Sequence, residues 1–162
     1  MNALAFDTCF GACSAAVGVG LGAPGERIEA VFELRETGHA EALMPMIETV
    51  MRRAGLAFAD LDRIAVTRGP GTFTGTRIGI AAARALALAT TAEVVTATSL
   101  WVMARGAAER LGNRVEGSSI AVVVDARRDS VYLQLFDGSA CQPAGEPRIA
   151  TIAAAAEMLP DR

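Results

Sequence analysis

Two stretches decide how this chain folds: Ala3-Leu4-Ala5-Phe6-Asp7-Thr8 near its start and Val122-Val123-Val124-Asp125-Ala126 far along it. Each is a short apolar run, which reads as a buried strand, and each ends in an aspartate. Each is followed by a turn and then by a second β-leaning run, residues 13–20 after the first and 130–136 after the second. An aspartate at the end of the leading strand of a hairpin, occurring twice in one chain, marks a duplicated unit.

Working outward from the first stretch, the cluster Gly20-Leu21-Gly22-Ala23-Pro24-Gly25 is a turn, and residues 27–34 alternate with Ile28, Ala30, Phe32 and Leu34 on one side. Three antiparallel strands therefore open the chain. Residues 39–54 carry helical period, with Leu43, Met46 or Ile47, Val50 and Ala54 in one stripe and Gly55 as the stop. A strand over 61–67 leads into the glycine-rich Arg68-Gly69-Pro70-Gly71-Thr72-Phe73-Thr74-Gly75, then come a helix over 76–90, a strand over 93–96 and a helix over 99–111 with Ser99 as its cap. The second stretch opens a strand over 119–125, turned at 126–129 into its partner over 130–136, with Asp137-Gly138 as the next turn. Residues 141–149 extend that sheet, and 151–159 close on an alanine-rich helix. The order predicts an α/β fold of the ribonuclease H-like, actin/Hsp70-like architecture, a mixed sheet with flanking helices, in which two such aspartates face one another across a cleft. The halves divide as 1–112 and 113–162, the second short or incomplete.

Composition narrows the chemistry. The chain has 162 residues, 52% hydrophobic and 20% charged, with a net charge of −3. That balance is globular, its apolar excess serving a core or a buried contact with another chain, and it lacks the basic footprint of a protein that grips nucleic acid alone. All fifteen basic residues are arginine, which excludes a P-loop lysine, a Schiff-base lysine and a Ser-Lys dyad. Cys9, Cys13 and Cys141 make no even disulfide framework, and they read as small buried hydrophobes in a reducing compartment. The lone His39 has no companion at ligand spacing, so no metal site is expected. Asp7 interrupts the first apolar run and Arg84 and Glu93 interrupt the longest one, so neither a signal peptide nor a membrane span is expected and the protein is placed in the cytoplasm.

Three constellations are chemical candidates. Asp7, Thr8 and Ser14 sit around a tight hairpin whose hydroxyls and N–H groups suit a phosphate, although an Asx turn holding its own backbone explains them equally well. The loop 69–77 presents backbone at a helix start, which also suits a phosphate. It lacks the lysine, however, and Gly71, Gly75, Gly79 and Ala83 at intervals of four make a flat face on which another helix, naturally 39–54, packs closely. The third, His39 with Glu41, reads as a cap or surface pair, and no nucleophile–base set is present, so no catalytic residue is assigned.

Taken together, Asp7-Thr-(x)5-Ser14-x-Ala16-Val, His39-Ala-Glu-x-Leu-x-Pro45-x-Ile, the segment Asp60 to Ile80 with Arg68-Gly-Pro-Gly-Thr-Phe-Thr-Gly-Thr-Arg77 at its centre, Thr98-Ser99-Leu100, and Val124-Asp125-Ala-Arg127 with Val131-Tyr132 occur in one order. The chain so resembles the TsaB (YeaZ) family of bacterial tRNA threonylcarbamoyladenosine biosynthesis subunits, also called M22 glycoprotease-like. The resemblance implies the actin-like fold and a non-catalytic subunit that binds and activates the transferase TsaD. With the ATPase TsaE, that complex supports threonylcarbamoyl modification of adenosine 37 in ANN-decoding tRNAs, and tRNA is met only through the complex. It implies a partner surface on the helices near 40–54 and 75–89, used for a homodimer when alone and for TsaD otherwise, with Leu43, Met46, Ile47, Val50, Arg77, Ile78 and Ala82 as candidates. Ser99 and Met103 fall where TsaD holds a metal with a His-x-x-x-His pair, so the metal is not expected here. No cofactor is required, with ATP or ADP at the joint with the partner as the one nucleotide role, resting on Asp7, Thr8, Ser14 and Asp125. The competing reading is an actin-like-superfamily ATPase or phosphotransferase using Asp7 and Asp125.

Overall fold

The computed structural model describes residues 1–138 and 140–159. The chain forms two compact units, Met1–Ala97 and Thr98–Arg162. The first contains β1 (Ala3–Asp7), β2 (Ala12–Val19), β3 (Arg27–Leu34), α1 (His39–Ala54), β4 (Arg63–Thr67), α2 (Phe73–Ala89) and β5 (Glu93–Ala97). Its five strands lie in the order β3-β2-β1-β4-β5; β1, β2 and β3 pair antiparallel, while β4 runs parallel to both β1 and β5. The three-strand meander therefore feeds two right-sized crossovers, each carried by a helix.

Alternation sorts the sheet into two faces. Leu4 and Phe6 of β1, Cys13, Ala15 and Val17 of β2, and Ile64 and Val66 of β4 point to one side and are buried there with Leu43, Ile47, Val50, Met51 and Ala54 of α1 and Ala83 and Leu86 of α2. The helical stripe read from the sequence is thus the molecule's own core. This corrects the candidate contact set: Leu43, Ile47 and Val50 are 0–1% exposed, and removing such side chains from their packing costs about 1.5–3 kcal/mol each. Met46, Ile78 and Ala82 are half-buried against the same core, and of the seven candidates Arg77 alone is exposed.

Helix α2 begins three residues earlier than its apolar period suggests, because Thr72 is its N-cap and accepts a hydrogen bond from the Gly75 amide at 3.1 Å. The spacing leads one to expect α1 against its small face, but only Ala83 of that face shares a core with α1; the glycines do not receive it. They receive the backbone of the β1–β2 turn: a Cβ on Gly75 would collide with the Thr8 carbonyl oxygen and one on Gly71 with the Cys9 carbonyl, while one on Gly79 would come within 2.9 Å of Thr8 Oγ1. The glycines are there because bare backbone lies on bare backbone.

The second unit contains α3 (Ser99–Leu111), β6 (Ser119–Arg127), β7 (Ser130–Asp137), β8 (Arg148–Thr151) and α4 (Ile152–Glu157), with the strands antiparallel in the order β6-β7-β8. Helix α3 belongs with it, not with the first half as the division 1–112 and 113–162 places it, because Leu100 and Ala104 share a core with Ile120, Val122 and Phe136. Thr98, not Ser99, caps this helix, accepting from the Trp101 amide at 3.1 Å. The segment 141–149 extends the sheet only through a single bridge from Pro143 to Phe136 and then through β8.

Two glycine substitutions test the packing. Gly75→Ala is expected to lose about 2–3 kcal/mol of stability in chemical denaturation, since the backbone oxygen it meets has nowhere to go. Gly106→Ala on α3, where a Cβ meets nothing within 4 Å, is expected to gain about 0.5–1 kcal/mol from helix propensity. Equal effects at the two positions would contradict this account of the glycine face.

Candidate functional site

Three of the residues singled out by sequence lie together at the end of β1. Asp7 Oδ1 accepts from the Cys9 amide at 2.9 Å, closing an Asx turn, and also from the hydroxyl of Thr67 at the end of β4. Ser14 stands opposite Asp7 across the β1–β2 ladder. Thr8, 1% exposed, donates its hydroxyl to the Gly75 carbonyl at 2.7 Å, and the Thr72 amide donates to the Cys9 carbonyl at 2.7 Å. The Asp7 oxygen and the Thr8 hydroxyl therefore stitch β1, β4 and α2 to one another. The glycine-rich loop serves the same join, its first-turn donors being taken in part by Thr72 and Cys9.

The turn is gripped on a further side. His39, 8% exposed, opens α1 after Gly38 in the left-handed region, and its Nε2–H donates to the Phe10 carbonyl at 2.8 Å. The Arg35 amide donates to the Gly11 carbonyl at 3.0 Å. His39 is thus an anchor for the turn, deeper than the cap or surface role its sequence suggests; Glu41 beside it is exposed.

Cys9 and Cys13 are both fully buried. Burial is the main reason each thiol titrates above its ordinary range; the Thr67 hydrogen bond opposes this at Cys9, the nearby Arg35 charge opposes it at Cys13, and the Asp7 carboxylate reinforces it at both. Burial thus works against the thiolate at both, which makes them poor nucleophiles and poor metal ligands. Among the described residues, no three of His, Cys, Asp and Glu converge as a metal-binding group.

Asp125, on the second unit, also closes an Asx turn, accepting from the Arg127 amide at 2.7 Å. The hairpin it begins is unusual: Arg127, Arg128 and Asp129 all have positive φ, at 68°, 52° and 59°. Consecutive non-glycine residues in this region cost roughly 1–2 kcal/mol each. The Asp129 carbonyl accepts from the Ile152 amide at 3.2 Å, which holds the turn against the start of α4. The conformation goes with a register slip between Asp125 and Arg127 in the β6–β7 ladder. Ser99 is buried at the start of α3, Met103 packs against the second core, and the Trp101 indole N–H donates to the Cys141 carbonyl at 3.1 Å.

The outer surfaces of α1 and α2 are differently made. Phe73 and Leu88 of α2 are 71% and 90% exposed, and Met44 of α1 is 38% exposed. The Arg77 guanidinium lies over the Phe73 ring, 3.8 Å from its centroid. Ala81 and Ala85 lie on the same outward stripe, one and two turns beyond Arg77. No helix among the described residues is long and apolar enough to cross a membrane.

Comparison with known proteins places the fold and the family. The profile of the family described as "TsaD: tRNA N6-adenosine threonylcarbamoyltransferase" matches residues 31–158. The tRNA threonylcarbamoyladenosine biosynthesis protein TsaB of Escherichia coli K12 is 36% identical over 132 residues, covering 82% of this chain and 53% of its own length. The Haemophilus influenzae protein of the same name is 33% identical, covering 82% of this chain and 52% of its own length. The solved structure of YeaZ from Pseudomonas aeruginosa superimposes with a TM-score of 0.79 at 33% identity, covering 93% of this chain and 67% of that one. The chain spans about half the length of the curated relatives it matches.

The raised thiol values give a pH test. Where the folded state keeps a proton that the unfolded chain has lost, stability is present below the ordinary thiol range and falls as pH rises through and above about 8.5. At pH 8 a thiol reagent such as DTNB is expected to label native protein at no more than a small fraction of its cysteines within minutes, and all three once guanidinium unfolds it. Prompt labelling of Cys9 or Cys13 in the native state would show that the turn is open.

Proposed function

This chain belongs to the TsaD family, on the side of its TsaB and YeaZ members, and from that premise we propose that it is a non-catalytic subunit that binds and activates a TsaD-type transferase. The process served is threonylcarbamoyl modification of adenosine 37 in ANN-decoding tRNAs, with a TsaE-type ATPase as third component and tRNA engaged only through the assembly.

The observation that carries this reading is the two-sidedness of α1 and α2. Their inner stripes are sealed in the core of the first unit, while Phe73 and Leu88 remain 71% and 90% exposed on the outside. Large apolar side chains left in water on a rigid helix are suited to burial by another protein. Arg77, stacked on Phe73, adds a charge that a complementary surface can pair. The contact residues proposed are therefore Arg77, with Phe73, Ala81, Ala85 and Leu88 in place of the inward Leu43, Ile47 and Val50. Two copies that met through this platform would compete with the transferase for it.

Support for a non-catalytic role comes from what the polar residues are occupied with. Asp7 and Thr8 serve the join between β1, β4 and α2, and Ser99 and Met103 occupy the places the resemblance assigns to a metal-binding histidine pair. A nucleotide, ATP or ADP, belongs in this proposal at the joint with the partner.

Reconstitution tests the proposal. Purified TsaD- and TsaE-type proteins with ATP, threonylcarbamoyl donor and unmodified tRNA are expected to form modified nucleoside at least tenfold faster when this chain is added. Ala81→Glu places an unpaired carboxylate on the platform without touching the core. It is expected to weaken complex formation at least tenfold in a pull-down titration while leaving the thermal unfolding midpoint within a few degrees of wild type. Modification at an unchanged rate with and without the chain, or turnover of ATP by the chain alone, would overturn it.

A further inference from the structure

Strand β3 (Arg27–Leu34) is the outer strand of the five-stranded sheet, paired to β2 along one edge only. Its alternation puts Arg27, Glu29, Val31 and Glu33 on the side of α1 and Ile28, Ala30, Phe32 and Leu34 on the other, continuing the register in which Leu4 and Phe6 face the helices. The second set is left in solvent: Ile28 is 68%, Phe32 68% and Leu34 79% exposed. Their neighbours across the ladder are small, Leu34 opposite Ala12, Phe32 opposite Ser14, Ala30 opposite Ala16 and Ile28 opposite Gly18. The eight-residue edge has no proline and carries three large apolar side chains on one face, while its charges all point to the α1 side, a placement that discourages pairing with a strand of unmatched charge.

We propose that this edge takes a second copy of the same chain, β3 pairing antiparallel with β3 about a two-fold axis at Ala30. Charge selects the occupant and the register. In an antiparallel pair, directly opposite residues share a face, so the axis must fall on a residue. With the axis at Ala30, residues 27–33 of the two copies overlap, Arg27 stands opposite Glu33 of the second copy and Ile28 opposite its Phe32, and symmetry makes each pair twice. With the axis at Val31, Glu29 would stand opposite Glu33 and Arg27 opposite Arg35, like charges in both cases. Glu33 is half-exposed and already holds Arg35 at 2.8 Å; the Arg27 guanidinium donates to the Ala54 carbonyl of its own α1 and keeps further N–H groups with which, in the second copy, it would meet Glu33, two cations about one carboxylate. A foreign strand has no such built-in complement. The isologous contact closes at two copies, and it uses the free edge of β3, not the outer faces of α1 and α2, so it is distinct from the helical platform.

Cysteine cross-linking of the full chain tests the axis. Ala30→Cys places two thiols directly opposite each other, within the Cα separation a disulfide accepts. Leu34→Cys is equally exposed but faces a different residue of the second copy. Under mild oxidation at about 100 μM, Ala30→Cys is expected to run as a covalent dimer on non-reducing gels and Leu34→Cys to remain at least tenfold less cross-linked. Phe32→Glu added to Ala30→Cys is expected to lower that cross-link at least tenfold. Ala81→Glu on the helical platform is expected to leave Ala30→Cys cross-linking unchanged, which separates this contact from that of the transferase. A monomer at 100 μM, equal cross-linking of the two cysteine variants, or loss of the cross-link with Ala81→Glu would overturn the proposal.

Discussion

Everything in the first unit is referred to one contact: the backbone of Thr8 and Cys9 lying directly on that of Gly71, just before helix α2, and Gly75, in its first turn. No side chain fits there, so the distance between the sheet and the helix is set by peptide groups, which are the stiffest parts available. Hydrogen bonds lock that approach from both partners, Thr8 Oγ1 to the Gly75 carbonyl and the Thr72 amide to the Cys9 carbonyl. Because β4 precedes α2 directly, the Thr67 hydroxyl reaches Asp7 as part of the same arrangement. His39 and Arg35 then tie the entrance of α1 to Phe10 and Gly11 of the same turn. A four-residue turn thereby fixes the placement of both helices, and with it whatever their outer faces present.

The elements of the fold were legible because each depends on local pattern. Alternation over residues 27–34 and a 3.6-residue stripe over 39–54, ended by Gly55 at φ 68°, give β3 and α1 their bounds. The neighbours of those elements were less legible. Gly71, Gly75, Gly79 and Ala83 announce a close approach in their spacing, but spacing does not say whether a helix or a turn makes it. The alternation of Ile28, Phe32 and Leu34 announces a common face, but not that the face is left uncovered. Thr98 and Ser99 are both good caps, and only the backbone decides that Thr98 precedes the first turn. At the candidate site the same limit applies: Asp7 at a strand end is visible, whereas its acceptance of both the Cys9 amide and the Thr67 hydroxyl requires β1 and β4 to be adjacent. The left-handed run Arg127 to Asp129 is marked only at its end, by an aspartate, since the two arginines before it give no sign of positive φ.

Interior and surface use of the helices also explain why buried candidates read from a stripe mislead about contact. An amphipathic pattern reports which residues leave water, without naming the body that covers them. In a two-layer unit the first claim on the stripe is the sheet beneath, and Leu43, Ile47 and Val50 meet it. A docking surface must then be sought in apolar residues that break the pattern on the other side, which is where Phe73 and Leu88 stand.

The edge strand follows from the same economy of charge. Sheets commonly protect an outer strand with lysine, proline or charges that point inward. This chain has no lysine at any position, and the charges of β3, Arg27, Glu29 and Glu33, all alternate onto the helix side. Moving one of them by one residue would place its charge on the open face, beside Ile28 and Phe32. The apolar side of β3 stays open while its charges lie toward α1, and in the proposed pairing those charges are what discriminate one register from another.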